Sequence, residues 1–95
     1  MKVDKESRER LYAELVARNG ADRQIDKAAE EQGEFLQVLM KVKYGEDTVD
    51  HLAEEIWDLL TLLEQVIWIF DLWPLVKKWM VYKLNRTAKD IGLEK

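Results

Sequence analysis

The sequence predicts an all-α fold, a single four-helix-bundle-like domain over residues 1–95 that is oligomeric, and three observations carry that expectation. Apolar residues recur at three- and four-residue intervals along most of the chain, a period that fits helices and requires no strand. One proline and four glycines are the only strong interruptions, and Gly20, Gly45 and Gly92 fall where the periodicity breaks, as helix stops do. The chain is also 47% hydrophobic with four tryptophans, although a domain this short buries only about 60% of its unfolded surface. That surplus of apolar material predicts association with further copies of the same chain.

The first helix is expected from about Asp4 to Asn19, with Leu11, Tyr12, Leu15 and Val16 in a narrow apolar stripe. Asp22 is the candidate cap of the second, which runs to about Tyr44 with Ile25, Ala28, Phe35, Leu39 and Val42 at helical spacing. The residues from Gly45 to Thr48 read as a turn, in which Asp47 or Thr48 caps a third helix extending to Phe70. Beyond Ile56 this helix is apolar around most of its circumference, as a helix central to a bundle or an interface must be. Asp71 is the candidate cap of the fourth helix, which tolerates Pro74 in its first turn and ends near Ile91. Gly33 sits inside the second helix at a cost of about 1 kcal/mol relative to alanine. Its presence predicts close approach of another group beside Glu34.

Fifteen basic residues against nineteen acidic ones give a net charge of -4, and the basic residues are spread along the chain, so nucleic acid is not expected as a partner. The absence of cysteine excludes disulfide scaffolds, thiolate zinc sites and cysteine nucleophiles. With a single histidine, any metal site must be built mainly from oxygen. The first seven residues lack the apolar core of a signal peptide, and the longest apolar run, Leu59 to Phe70, is broken by Thr61, Glu64 and Gln65. A cytoplasmic chain without a membrane partner is therefore expected.

The second and third helices contain similar words 24 residues apart, Ala29-Glu30-Glu31-Gln32-Gly33-Glu34 and Ala53-Glu54-Glu55-Ile56-Trp57-Asp58. At about 100° per residue, Glu31 lies at the border of its helix's apolar sector and Glu34 about 60° further toward the polar side. Glu55 and Asp58 occupy the same two positions on the third helix. A short turn makes the two helices antiparallel neighbours, and the words then lie at one level to within about 3 Å. Like charges three residues apart destabilise a helix by a few tenths of a kcal/mol, so four converging carboxylates require compensation. All-oxygen ligation suits Mg²⁺, with Mn²⁺ as the alternative, and leaves positions for substrate phosphates. A diiron carboxylate bundle would need a Glu-x-x-His word on two helices. His51, the only histidine, precedes the acids and is read as a surface residue, or one that supports a ligand from behind, rather than as a ligand.

Gln24-x-x-Lys27-x-x-Glu30-Glu31-x-x-Glu34, followed by Glu54-Glu55-x-x-Asp58-Leu-Leu, resembles the MazG-like nucleoside triphosphate pyrophosphohydrolases, and the resemblance covers roughly Leu11 to Arg86. It implies an α-helical bundle assembled into a homodimer or homotetramer. The implied activity is Mg²⁺-dependent hydrolysis of a nucleoside triphosphate between the α and β phosphates, yielding nucleoside monophosphate and pyrophosphate, as in clearance of unwanted nucleotides. Glu31, Glu34, Glu55 and Asp58 would then hold the metal, and one of them or Glu30 would orient the attacking water. Lys83, Asn85 and Arg86 are similar in type to the last-helix residues that family members present to the triphosphate. Trp57 departs from the small residue common within Glu-x-x-Asp, and its helical angle directs it away from the acids, toward interface packing. Two other functions stay open on the sequence: a helical interaction module without turnover, and a hydrolase of another phosphorylated metabolite.

Overall fold

Each helix in this chain begins and ends where local chemistry stops the backbone from continuing. The computed structural model describes residues 1–93, which form four helices and no strand. Helix α1 (Lys5–Asn19) starts at Asp4, whose carboxylate accepts the Ser7 N–H at 2.9 Å. It stops at Gly20, the single residue separating it from α2 (Ala21–Lys43); at φ 89° this corner is open to glycine and strained for other residues. Asp22 is not the cap of α2. Gly20 occupies that position, and Asp22 instead places its charge in the first turn, where the helix dipole favours an anion.

A Schellman turn closes α2: Gly45 N–H reaches the Val42 carbonyl at 3.1 Å and Glu46 N–H the Lys41 carbonyl at 2.8 Å. Helix α3 (Val49–Ile69) then starts at Thr48, one of the two caps expected, whose hydroxyl accepts the His51 N–H at 3.1 Å. Asp71 plays a different part from the one expected. It adopts φ 52° and ends α3 in the same Schellman geometry, with Asp71 N–H to Trp68 and Leu72 N–H to Ile67 carbonyls. Helix α4 (Trp73–Asp90) follows with no side-chain cap and with Pro74 in its first turn.

Packing centres on the hairpin of α2 and α3. One sheltered stripe of α2 runs through Gln24, Ala28, Glu31, Phe35, Val38 and Val42, spaced alternately by four and three residues, and one of α3 through His51, Glu55, Asp58, Leu62, Gln65 and Ile69. Every one of these twelve is buried or half-buried, which is the seam of an antiparallel coiled-coil pair. Near one end, Gln24 donates to Gln65 at 2.6 Å, both side chains being almost completely enclosed at 2% and 3% exposure. Asn19 donates its side-chain amide in turn to Gln24 Oε1 at 3.2 Å. Helix α1 docks beside this pair. Its buried Tyr12 donates to Glu64 and accepts from Thr61 at 3.1 Å, while Arg8 binds Glu64 at 2.9 Å.

The four helices therefore match the predicted count, but within one chain the bundle consists of α1, α2 and α3. Helix α4 leaves it at a 118° bend and buries none of its residues. The radius of gyration is accordingly 16.4 Å, against about 12 Å for a compact chain of this length. Among the described residues no single helix is long and apolar enough to cross a membrane.

Gly33 does not meet the expectation of a close neighbour, since a Cβ added there would find nothing within 4 Å. Gly33→Ala should consequently stabilise α2 by about 1 kcal/mol, raising Tm by about 4–8 °C. A fall in Tm, read by circular dichroism, would instead place a second molecule against this position.

Candidate metal centre

The seam that packs the hairpin also decides which acids meet. Seven residues after Gln24 on α2 comes Glu31, and seven residues before Gln65 on α3 comes Asp58. Two helical turns along from the glutamine pair, the antiparallel register thus sets Glu31 opposite Asp58, and Glu34 opposite Glu55. Donor oxygens of Glu31, Glu34 and Glu55 lie within 4.8 Å of one another. Asp58 falls outside that closest group yet remains near enough for its charge to act on Glu31.

Electrostatically the cluster is unsatisfied. Glu55 is only 8% exposed, and its Oε2 atom and Oε2 of Glu31 are both buried without a hydrogen-bond partner. Burial raises the Glu31 carboxyl above its ordinary value, and the charges of Glu34, Asp58 and Glu55 push it further in the same direction. Orphaned carboxylate oxygens among other carboxylates lack positive charge, and the donor set fits a hard divalent cation such as Mg²⁺ or Mn²⁺. A cleft of roughly 320 Å³ opens beside the acids, lined by Lys27, Glu30, Glu31, Asp58, Thr61 and the two buried glutamines, among others.

The last-helix residues are not brought to this cluster within one chain. Glu55 lies fourteen residues before the end of α3 and Arg86 thirteen after the start of α4, each about 20 Å from the bend. With a 118° change of direction the two positions remain about 20 Å apart. Lys83, Asn85 and Arg86 are exposed, and Arg86 lies over the ring of Tyr82 on its own helix. Trp57 is also exposed, at 49%, and stands away from the seam, as its angle on the helix requires.

Two features near the acids were not singled out from the sequence for the parts they play. The enclosed Gln24–Gln65 pair fixes the register, and its signal was two amides on the apolar faces of adjacent helices. His51 contacts Asp47 and approaches Glu55, a juxtaposition foreshadowed by i,i+4 spacing across three residues that can each bind a cation or proton. A separate cleft of about 520 Å³ lies between the start of α1 and the end of α3, walled by Trp68, Trp73 and the Arg8–Glu64 pair. It is the larger of the two but contains none of the clustered acids.

What this arrangement defines is an all-α chain with an acidic centre on a helical hairpin. No family model, curated protein or solved structure matches the chain.

The raised carboxyl of Glu31 has a sign that can be measured. Its ionisation disfavours the folded state, so without divalent cations Glu31→Gln should be more stable than wild type at pH 7–8. That gap should narrow as pH falls through the raised folded value and vanish below 4.5, where the group is protonated folded and unfolded alike. Melting curves in chelator across this range provide the test, and millimolar Mn²⁺ at pH 7.5 should reverse the order of the two proteins.

Proposed function

We propose that this chain is a Mg²⁺-dependent nucleoside triphosphate pyrophosphohydrolase of the MazG-like superfamily, a hydrolase that clears nucleotides from the pool as an oligomer. The observation that carries the reading is the pair of buried, partnerless oxygens on Glu31 and Glu55 within one cluster of acids. A cation held by Glu31, Glu34 and Glu55, with Asp58 beside them, would neutralise phosphate oxygens and lower the pKa of an attacking water. Glu30, exposed on the rim of the same cleft, is available to orient that water. Lys27 adds positive charge to the cleft wall, suited to a polyphosphate. Catalysis then rests on charge placement and orientation and needs no covalent intermediate on the protein. The choice of the α phosphorus comes from the family resemblance, because cation-assisted hydrolysis alone does not select a bond.

Assembly is part of the same proposal. The chain exposes 7618 Å², whereas a compact monomer of 11.3 kDa exposes about 5,700 Å². An excess of about 1,900 Å² per chain, doubled across a dimer, falls in the range of obligate interfaces. The exposed apolar residues Leu36, Ile56, Leu63 and Phe70 of the hairpin, and Trp79 and Leu84 of α4, account for part of it. Because α4 stands clear of its own acids, Lys83, Asn85 and Arg86 serve in this reading the centre of a neighbouring copy.

A suitable nucleoside triphosphate should give monophosphate and pyrophosphate with no diphosphate intermediate, and Glu34→Gln should lose most turnover while staying helical. Product chromatography checks both; diphosphate with orthophosphate would refute the reaction. The exposed aromatic face of α4 favours one rival, a helical interaction module, and self-association with no turnover across a broad nucleotide panel would select it.

Subunit exchange tests the shared centre. Glu55→Ala and Arg86→Ala proteins, each inactive alone, should recover about a quarter of wild-type activity when mixed as equal dimers, since half the dimers become hybrids with one intact site. No recovery, despite demonstrated exchange of subunits, would place both residues in the same chain's site.

A further inference from the structure

The residues at the start of α3 form a line that the proposed reaction leaves unused. His51 stands four residues before Glu55 on the seam side of the helix, so the two side chains project in the same direction. Its Nδ1 atom lies 2.8 Å from Asp47 Oδ2. Asp47 is itself held, because its other oxygen accepts the Thr48 N–H at 2.7 Å. The ring is therefore anchored on its Nδ1 side, and Nε2 is left 3.5 Å from Glu55 Oε1.

That separation distinguishes two roles. Charge-assisted N–H···O hydrogen bonds are about 2.7–2.9 Å long, so 3.5 Å is too wide for a direct bond between imidazole and carboxylate. It does match the edge of a coordination shell: two donors about 2.1 Å from one ion, at about 90–110°, lie about 3.0–3.5 Å apart. In the neutral ring, a carboxylate that accepts a hydrogen bond from Nδ1–H fixes the tautomer in which Nε2 presents a lone pair, the usual arrangement behind a metal-binding histidine. Glu55, meanwhile, is more than nine-tenths buried and has a second oxygen without any partner.

We propose that His51 Nε2, which lies outside the closest group of three acids, joins Glu55 as a ligand of a divalent cation on the rim of that centre, with Asp47 orienting the ring. The inference rests on the reading that this cluster holds a cation, and it changes the role expected of His51 from support to ligation. One nitrogen among oxygens biases the site toward Mn²⁺ or a later first-row ion over Mg²⁺, which favours oxygen alone.

The test is Mn²⁺ titrated into the full chain, with binding read by calorimetry and the bound ion by pulsed electron paramagnetic resonance. One imidazole nitrogen should couple to the manganese, and His51→Gln should abolish that coupling. The same variant should weaken Mn²⁺ binding about tenfold or more while changing Mg²⁺ binding by less than about twofold, and Asp47→Asn should produce a smaller loss. Circular dichroism confirms that the variants fold. Mn²⁺ bound with no nitrogen coupling, and lost only on changing Glu31 or Glu55 to Gln, would overturn ligation by His51 and leave the carboxylate centre standing. No binding of either cation at millimolar concentration would overturn both.

Discussion

The register of α2 against α3 is the constraint from which the rest of the structure follows. A coiled-coil seam of alternating four- and three-residue steps can in principle slide by a turn, about 5.4 Å, and still bury apolar side chains. The enclosed Gln24–Gln65 bond prevents this, because sliding would leave two buried amides unpaired at about 1–3 kcal/mol each. Once that level is set, the positions two turns along are set as well, and they are carboxylates. A single polar contact in the core thereby determines which acids share a centre. Its partner Asn19 carries the same constraint to the end of α1.

The hairpin is a compromise between packing and charge. Glu31, Glu55 and Asp58 occupy seam positions that apolar residues could fill, and the burial that shelters them also lifts the Glu31 carboxyl. Opposite behaviour appears two turns away at Glu64. Burial alone would raise its carboxyl, but hydrogen bonds from Tyr12 and Arg8 hold it below the usual range. Ionised Glu64 consequently favours folding above pH 4.5, and that contribution disappears as pH falls through its lowered value. Satisfied charge beside α1 and unsatisfied charge beside Glu55 differ in effect: one holds helices together, the other leaves buried oxygens without a partner.

Most of the helical plan was legible in sequence because it depends on short-range physics. Glycine at positive φ ended helices at Gly20, Gly45 and Gly92, and the Thr48 hydroxyl capped α3, each effect local to a few residues. The two mistaken caps show the limit. Asp22 and Asp71 have the right chemistry, but Gly20 took one position and the left-handed turn at the end of α3 took the other. The repeated acidic word located Glu31, Glu34 and Glu55 because helical phase and loop length suffice to set a level. Asp58 lies outside that closest group, a distinction that helical phase does not encode. Asp71, Pro74 and Gly92 bounded the fourth helix in the sequence, and the surplus of apolar residues pointed to further copies of the chain without saying which face they cover, since an apolar stretch records the need for a neighbour and not its address.

Helix α4 gives the folding of this chain a particular kinetic character. The seam joins helices separated by a five-residue turn, so its contacts are local in sequence and its formation is unimolecular and rapid. Covering α4 is a different process, because no substantial packing from the rest of its own chain reaches it among the described residues. Under the proposed assembly, burial of its aromatic face would require an encounter, at a rate that rises with protein concentration. A dilute chain would linger with a finished hairpin and bare tryptophans, the kind of species most exposed to aggregation. Left-handed Asp71, at the bend, sets the direction in which that waiting helix points.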